Sequence, residues 1–201
     1  MISNKSILDL QQRLDSKKKT ILVLLPAILN NARWYDDDKE ALIRVLEFFY
    51  GKENILLKFH PREKKETVDR FEKNICGGDK IYTTTLTTEC VAKIADCVVV
   101  AGVTTAAGPA IINDVPVIEF HSNREMESLY CDKGQYGTLL KIKNVVISAE
   151  NYKMLKDAIS GVLYGNIWEE YRNKYKKYIY TDNQASKRFA EAMATFGGEN
   201  E

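Results

Sequence analysis

Short apolar runs, separated by segments with the periodicity of amphipathic helices, organise this chain. Each run places apolar residues at consecutive positions, which is typical of strands buried on both faces of a parallel sheet. The pattern predicts strands at 20–25, 54–59, 80–82, 97–101 and 115–120, with a sixth at 139–142 or 145–147. The run at 97–101 ends at Gly102 and leads through small residues into the run at 115–120.

The segments between the runs predict helices over 3–16, 37–50, 64–74, 89–95, 148–163, 166–178 and 185–196. In the second of these, one apolar face is formed by Ala41, Leu42, Val45, Leu46 and Phe49. Strands alternating with helices predict an α/β fold, a doubly wound, mostly parallel Rossmann-like sheet with helices on both faces. No repeat or flexible linker interrupts the pattern, so we expect a single domain over 1–201, with its core at 20–164 and carboxyl-terminal helices at 166–197.

A ligand site is expected where the strand order of such a sheet reverses. If the order is 3-2-1-4-5-6, strands one and four flank this point, and ligands bind beyond their carboxyl ends. The turn after strand four carries Gly102, Thr104 and Thr105, whose amides and hydroxyls suit an anion, above all a phosphate. Thr104 could equally act as a plain helix cap, and this stretch alone leaves both interpretations open.

His60 and Pro61 directly follow the second strand, at the same edge of the predicted sheet. The proline fixes the turn and keeps the backbone of His60 extended, so the imidazole should project from the strand tip. There it can donate to a phosphate oxygen or protonate a leaving phosphate. The alternative is a histidine that only orders the loop, although we favour the ligand role.

Four further residues are secondary candidates for the site. Arg62 and Glu63 follow the His-Pro pair at the start of a charged helix, where both are equally consistent with an exposed surface. Trp34 lies in the polar loop after strand one and could stack on a base or fold back onto the domain. Glu119 lies near the end of the fifth strand.

Composition and missing motifs exclude several classes of function. The 201 residues carry a formal net charge of +1, which does not indicate nucleic-acid binding. Four cysteines without a CxxC pair and two histidines favour reduced thiols and argue against a structural zinc site. The sequence contains no GxGxxG, GxxxxGK[ST] or GxSxG motif, which disfavours a dehydrogenase, a P-loop hydrolase and a serine hydrolase, respectively.

The expected location follows from the same survey. No apolar stretch approaches the length of a transmembrane segment, and the amino terminus lacks the apolar core of a signal peptide. We therefore expect a cytoplasmic protein, with peripheral attachment to the inner face of the membrane as a variant of that expectation.

Three segments together resemble a known family: 56–63 (LLKFHPRE), 87–106 (TTECVAKIADCVVVAGVTTA) and 114–120 (DVPVIEF). They look like the carboxyl-terminal, nucleotide-binding half of a GT-B glycosyltransferase, above all of bacterial sialyltransferases and polysialyltransferases. Capsule polysaccharide transferases and CDP-glycerol glycerophosphotransferases share the pattern. The resemblance implies that His60-Pro61 and Thr104-Thr105 contact the phosphate and nucleotide of a sugar donor, without a metal or other cofactor.

The resemblance thus implies the donor-binding half of a glycosyltransferase for surface polysaccharide or lipooligosaccharide. A CMP-sugar such as CMP-sialic acid is the favoured donor, and His60 acts on the departing phosphate. Thr-Thr in place of the family's serine-led pair leaves the donor open. The chain has no room for the amino-terminal half, so a glycan or glycolipid acceptor would need that domain or a partner subunit. Two alternatives remain: a non-catalytic nucleotide- or sugar-phosphate-binding or assembly module, and part of a UDP-N-acetylglucosamine 2-epimerase-like enzyme.

Overall fold

The computed structural model describes residues 4–26, 36–75, 81–102, 107–121, 131–132, 135–136 and 145–175. In chain order, the strands within these ranges are β1 (Thr20–Leu24), β2 (Asn54–Lys58), β3 (Ile81–Thr83), β4 (Cys97–Ala101), β5 (Val117–Phe120), β6 (Cys131–Asp132), β7 (Gln135–Tyr136) and β8 (Ile147–Ala149). Five of the six predicted strands have a single predicted range, and each of these is confirmed to within two residues at either end.

Six strands form one parallel sheet in the order β3-β2-β1-β4-β5-β8. This is the predicted doubly wound order, with β1 and β4 at the centre. The sixth strand begins at Ile147, two residues later than the second of the two predicted positions, while residues 137–144 lie outside the described ranges. The short strands β6 and β7 pair with each other in antiparallel fashion.

The described helices are α1 (Asn4–Arg13), α2 (Asp36–Phe49), α3 (Lys65–Asn74), α4 (Thr88–Ala92), α5 (Ala107–Ile112), α6 (Tyr152–Tyr164) and α7 (Ile167–Tyr175). Asn151 caps α6 as expected, because its Oδ1 accepts a hydrogen bond from the amide of Met154 at 3.0 Å. The helix predicted at 185–196 lies outside the described ranges. Within those ranges, no helix is both long and apolar enough to cross a membrane.

The core lies on both faces of the sheet. Every residue of β1, β4 and β5 is buried, as strands covered by helices on both sides require. From α2 the core receives Leu42, Val45, Leu46 and Phe49, all fully buried. Ala41, the fifth residue of the predicted apolar face, packs at the margin of this cluster.

Side-chain hydrogen bonds connect neighbouring segments at the amino-terminal edge of the sheet. Asp96 Oδ2 accepts from the first amide of β1, that of Thr20, at 2.8 Å. The buried Asn54 side chain donates to the carbonyl of Asp15 at 2.9 Å and accepts from the Asp15 amide at 3.1 Å. These bonds satisfy backbone groups that would otherwise be left without partners where the strands begin.

Outside the core, aromatic rings of α2 and α6 lie close to cationic side chains. Phe48, 40% exposed, has the Lys52 ammonium 3.9 Å and the Lys156 ammonium 5.1 Å from its ring centroid. The guanidinium of Arg44 lies 4.7 Å from the Tyr152 ring centroid. Each such contact adds modest stabilisation at an exposed position.

Candidate functional site

A cavity of about 460 Å³ opens at the carboxyl ends of β2 and β3. Its lining comes from the ends of β2 and β3, from the turn after β2, from the loop after β3, and from α3. The lining residues are Lys58, Phe59, His60, Pro61, Glu63, Val68, Thr83, Thr84 and Thr85. Three of the predicted site residues, His60, Pro61 and Glu63, are therefore found here. The cavity lies two strand positions from the crevice that the sequence predicts between β1 and β4, towards the edge strand β3.

The His-Pro pair forms the first half of a tight turn. The amide of Glu63 donates to the carbonyl of His60 at 2.9 Å, so Pro61 occupies the second position, where its fixed φ is favourable. The amide of Arg62 donates to Nδ1 of His60 at 3.2 Å. Because Nδ1 accepts this bond, a neutral imidazole carries its proton on Nε2 and can donate from there.

Lys58 is a cavity residue that the sequence reasoning missed. It is the last residue of β2 and half-buried, and this burial lowers the pKa of its ammonium. A desolvated cation beside a histidine donor suits an anionic ligand, because the ligand would offset the cost of its burial. The signal was available in the sequence, since Lys58 is the one charged residue at the end of an otherwise apolar run.

The threonine-rich segment after β3 supplies hydroxyls to the other side of the cavity. The amide of Thr84 donates to the carbonyl of Leu57 at 3.1 Å, which continues the pairing of β3 with β2. Thr84 Oγ1 accepts from the amide of Leu86 at 3.1 Å. The Thr83 hydroxyl bonds to Glu72 of α3, whose pKa is raised by burial and by Asp69, with the Thr83 bond acting in the opposite direction. This segment is thus part of the site, whereas the sequence suggested only a link.

Gly102 lies at the same sheet edge, beyond β4. Leu24 of β1 is in register with Lys58 on one side and with Val100 on the other. Two strand spacings of about 4.8 Å separate the ends of β2 and β4 by about 10 Å, and His60 and Gly102 each lie two residues further along their chains. Thr104, Thr105 and Trp34, the other predicted contacts at this edge, lie outside the described residues.

The backbone of Gly102 has φ +71°, in the left-handed region that favours glycine. Its amide donates to the carbonyl of Phe120 at 2.8 Å. A Cβ at this position would lie 3.5 Å from Cγ of Pro26, at the end of β1, which is an ordinary contact distance. Conformation rather than space therefore selects glycine here.

Gly102→Ala should lower the free energy of unfolding by about 1–2 kcal/mol, the cost of holding an L-residue in this region. Gly108→Ala is the matched control, because its Cβ would meet nothing within 4 Å and Gly108 is helical. There alanine should change stability by less than about 1 kcal/mol, because the gain in helix propensity is opposed by the steric restriction that Pro109 places on the residue before it. Urea unfolding followed by circular dichroism measures both, and equal stabilities of the two variants would contradict the assigned conformation.

Glu119 and His121 occupy a different environment from the cavity. Glu119 is 1% and His121 4% exposed, and the Glu119 Oε2 and His121 Nε2 atoms are 3.9 Å apart. Glu119 is in register with Val100 of β4 and Ser148 of β8, and so lies inside the sheet. Of the secondary candidates, Glu63 lines the cavity, Arg62 is exposed in the turn, and Glu119 is a core residue.

Other catalytic chemistries find little support among the described residues. Cys97 is fully buried, and burial together with Asp96 raises the pKa of its thiol far above the usual range, which makes it a poor nucleophile. Across the ranges described above, no group of three or more histidine, cysteine, aspartate or glutamate residues is arranged to hold a metal ion.

Solved structures share this fold. No protein-family model and no curated protein matches the chain. A Staphylococcus aureus MnaA–UDP co-structure aligns with a TM-score of 0.63 at 14% identity, over 98% of this chain and 50% of that one. UDP-GlcNAc 2-epimerase from Neisseria meningitidis, bound to UDP-GlcNAc, aligns with a TM-score of 0.61 at 10% identity, over 95% and 48%.

The wall teichoic acid polymerase TagF aligns with a TM-score of 0.57 at 14% identity, over 99% of this chain and 50% of that chain. These neighbours are of the GT-B type, and at such identities the likeness concerns the fold. The chain therefore has a Rossmann-like fold of the kind found in GT-B proteins, and it spans about half the length of the structures it matches.

Proposed function

We propose that the cavity at the ends of β2 and β3, together with the edge at Gly102, binds a nucleotide-activated sugar, and that this chain is the donor-binding half of a glycosyltransferase. The observation that carries the proposal is that one cavity is lined both by Lys58, a half-buried cation, and by His60, whose Nδ1 is occupied and whose Nε2 can donate. Two of the neighbours with this fold are described with UDP or UDP-GlcNAc bound.

A nucleoside diphosphate fits the span of the site. The ends of β2 and β4 are about 10 Å apart, a gap that phosphate groups can occupy while the base and ribose extend past His60 into the cavity. In this arrangement the phosphates lie between His60 and the segment after Gly102, where Thr104 and Thr105 would add hydroxyl donors. Lys58 and His60 contact the phosphates from the cavity side, while the base and ribose extend into the part of the cavity lined by Thr83–Thr85, whose polar groups allow hydrogen bonding to them.

Bond cleavage at the donor leaves negative charge on the departing phosphate. Lys58, His60 and backbone amides stabilise that charge, and His60 can donate its Nε2 proton to a phosphate oxygen as the sugar leaves. This set of groups suffices without a metal ion. The acceptor glycan or glycolipid would be bound by another domain or a partner subunit, which would also supply the catalytic base.

The base of the nucleotide separates the two enzyme candidates. The sequence resemblance favours a CMP-sugar and a sialyltransferase-like reaction in capsule or surface polysaccharide synthesis. The UDP and UDP-GlcNAc described for two of the structural neighbours favour a UDP-sugar, and with it an epimerase-like enzyme of which this chain would be one half.

Calorimetric titration of the chain with CMP, CDP and UDP, in buffer containing EDTA, tests the proposal. We expect saturable binding of one of them, and its affinity should fall as pH rises through the lowered pKa of Lys58, because the neutral amine no longer attracts phosphate. Lys58→Met should weaken binding at pH 7.5 by about tenfold or more and remove this alkaline decline.

The matched control for Lys58→Met is Lys52→Met, which removes an ammonium that lies over Phe48, away from the cavity. It should bind like the parent chain at every pH. Failure of the parent chain to bind any of the three nucleotides would refute the proposal and favour an assembly module. Binding that Lys58→Met leaves intact would refute the assigned site alone.

A further inference from the structure

One hydroxyl of the cavity is held in a fixed direction by a residue that does not itself line the cavity. Thr83, the last residue of β3, is a lining residue, and its hydroxyl bonds to the side chain of Glu72 on α3. An ionised carboxylate has no proton to donate, so the hydroxyl donates to Glu72. Towards a ligand, the Thr83 oxygen can then only accept a hydrogen bond.

Strand pairing and ring packing bring Glu72 and Thr83 together. Thr83 is in register with Leu57 of β2, so these two side chains share one face of the sheet. Just beyond the end of β2, Phe59 is in edge-to-face contact with the buried Phe71 of α3, and the ring centroids are 5.8 Å apart. Because Glu72 directly follows Phe71, this contact holds the Glu72 carboxyl group near the end of β3.

The charge on Glu72 is disfavoured by its surroundings and supported by Thr83. Burial and the nearby charge of Asp69 raise the pKa of Glu72, and the bond from Thr83 acts in the opposite direction. The bond therefore stabilises the ionised form, as expected when the hydroxyl is the donor. A carboxyl group placed beside a cavity, where its charge is disfavoured, is a candidate for a functional role.

The groups next to Thr83 in the cavity have the opposite polarity. Thr84 Oγ1 accepts from the amide of Leu86 at 3.1 Å, which leaves the hydroxyl proton for another partner. The ammonium of Lys58 is also a donor. A ligand in this part of the cavity therefore meets an acceptor at Thr83 beside donors at Thr84 and Lys58.

We propose that Glu72 is a positioning residue that makes Thr83 an acceptor for the base of the bound nucleotide, and that it thereby sets the preference of the site between cytosine and uracil. The two bases differ in polarity, since cytosine carries an amino donor where uracil carries a carbonyl acceptor. The base with a hydrogen opposite Thr83 Oγ1 binds more tightly, because the other base leaves two acceptors facing each other. This inference rests on the proposed binding of a nucleotide with its base beside Thr83–Thr85.

The ratio of the affinities for CDP and UDP tests this role, with CMP and UMP in their place if the monophosphates bind more tightly. Calorimetric titration of the parent chain at pH 7.5 should give affinities that differ by about fivefold or more. In Thr83→Val, a methyl group replaces the hydroxyl, and the ratio should fall to within about twofold of one. Glu72→Ala should have a similar effect, because the Thr83 hydroxyl is then free to donate.

Three further variants separate positioning from plain support of the strand. Glu72→Gln keeps a side-chain oxygen that can accept from Thr83, so part of the preference should return. The double variant Glu72→Ala with Thr83→Val should show the same ratio as Thr83→Val alone. Glu66→Ala is the matched control, because it removes an exposed carboxylate from the same helix, away from the cavity lining. It should leave both affinities unchanged.

Two results would overturn the positioning role while the proposed function stands. One is a parent chain that binds CDP and UDP equally well. The other is a ratio that Glu72→Ala or Thr83→Val leaves unchanged, even if both affinities fall, because Glu72 would then only support the strand. A parent chain that binds none of the four nucleotides would refute the proposed function, and this inference with it.

Discussion

His60→Ala should weaken nucleotide binding by about 10- to 100-fold, the loss expected when a hydrogen bond to a charged phosphate is removed. The imidazole lines the cavity at the end of β2, and its Nδ1 is occupied by the amide of Arg62. In the proposed site, Nε2 is therefore the ring atom that can donate to the ligand. Calorimetric titration with the nucleotide that binds the parent chain measures the change.

Two conservative variants test the assignment of each ring nitrogen. In His60→Asn the side-chain oxygen can still accept from the Arg62 amide, but no donor reaches the position of Nε2, so affinity should fall as in His60→Ala. In His60→Gln the amide nitrogen reaches that position, and part of the affinity should return. Asparagine that binds well and glutamine that binds poorly would show that the histidine orders the turn and does not contact the ligand.

Phe49→Ala should lower the free energy of unfolding by about 3–5 kcal/mol, because it leaves a cavity among fully buried residues of α2 and the sheet. Phe48→Ala provides the control at the next position. The two rings are in edge-to-face contact, with centroids 5.0 Å apart, yet Phe48 is 40% exposed. We expect its loss to cost about 1 kcal/mol, mainly through the contact with the Lys52 ammonium.

Urea unfolding monitored by circular dichroism compares the two phenylalanine variants, and equal m-values would indicate that the unfolding reaction itself is unchanged. If Phe48→Ala were the more damaging substitution, the orientation assigned to α2 would be wrong. Nucleotide affinity measured well below the melting temperature should be the same in both, since neither ring lines the cavity.

The periodicity of apolar residues predicted most of the fold because burial is a property of whole segments. The strand Cys97–Ala101 was predicted with its observed bounds, and the apolar face of α2 distinguished Phe49 from Phe48. The alternation of strands and helices predicted a doubly wound sheet, and the order assumed for it agrees with the observed order. Most errors lay at the ends of elements, as in α1 and α4, which end three residues earlier than predicted, where hydrogen bonding and side-chain polarity compete. The short strands β6 and β7 were not predicted.

The site was harder to predict because it depends on contacts between distant segments. His60 and Pro61, which were predicted as site residues from their place at a strand end, line the cavity. Lys58 lies within a predicted strand, and the threonines near Thr84 lie in a predicted connection, so neither was predicted as a site residue. The pairing of β2 with β3 brings Lys58 and these threonines to one cavity. Glu72 and Thr83 belong to different elements, and no local pattern indicates that their side chains bond.

The half-buried ammonium of Lys58 also has an evolutionary consequence. Its lowered pKa means that folding disfavours the charged form, so an apolar side chain at the end of β2 should be tolerated better by the fold. Selection for ligand binding would then be what retains the lysine. In a lineage that has ceased to use the ligand, this position should drift towards methionine or leucine before the neighbouring core residues change. The side chain found there in a relative would thus report whether that relative still binds an anion.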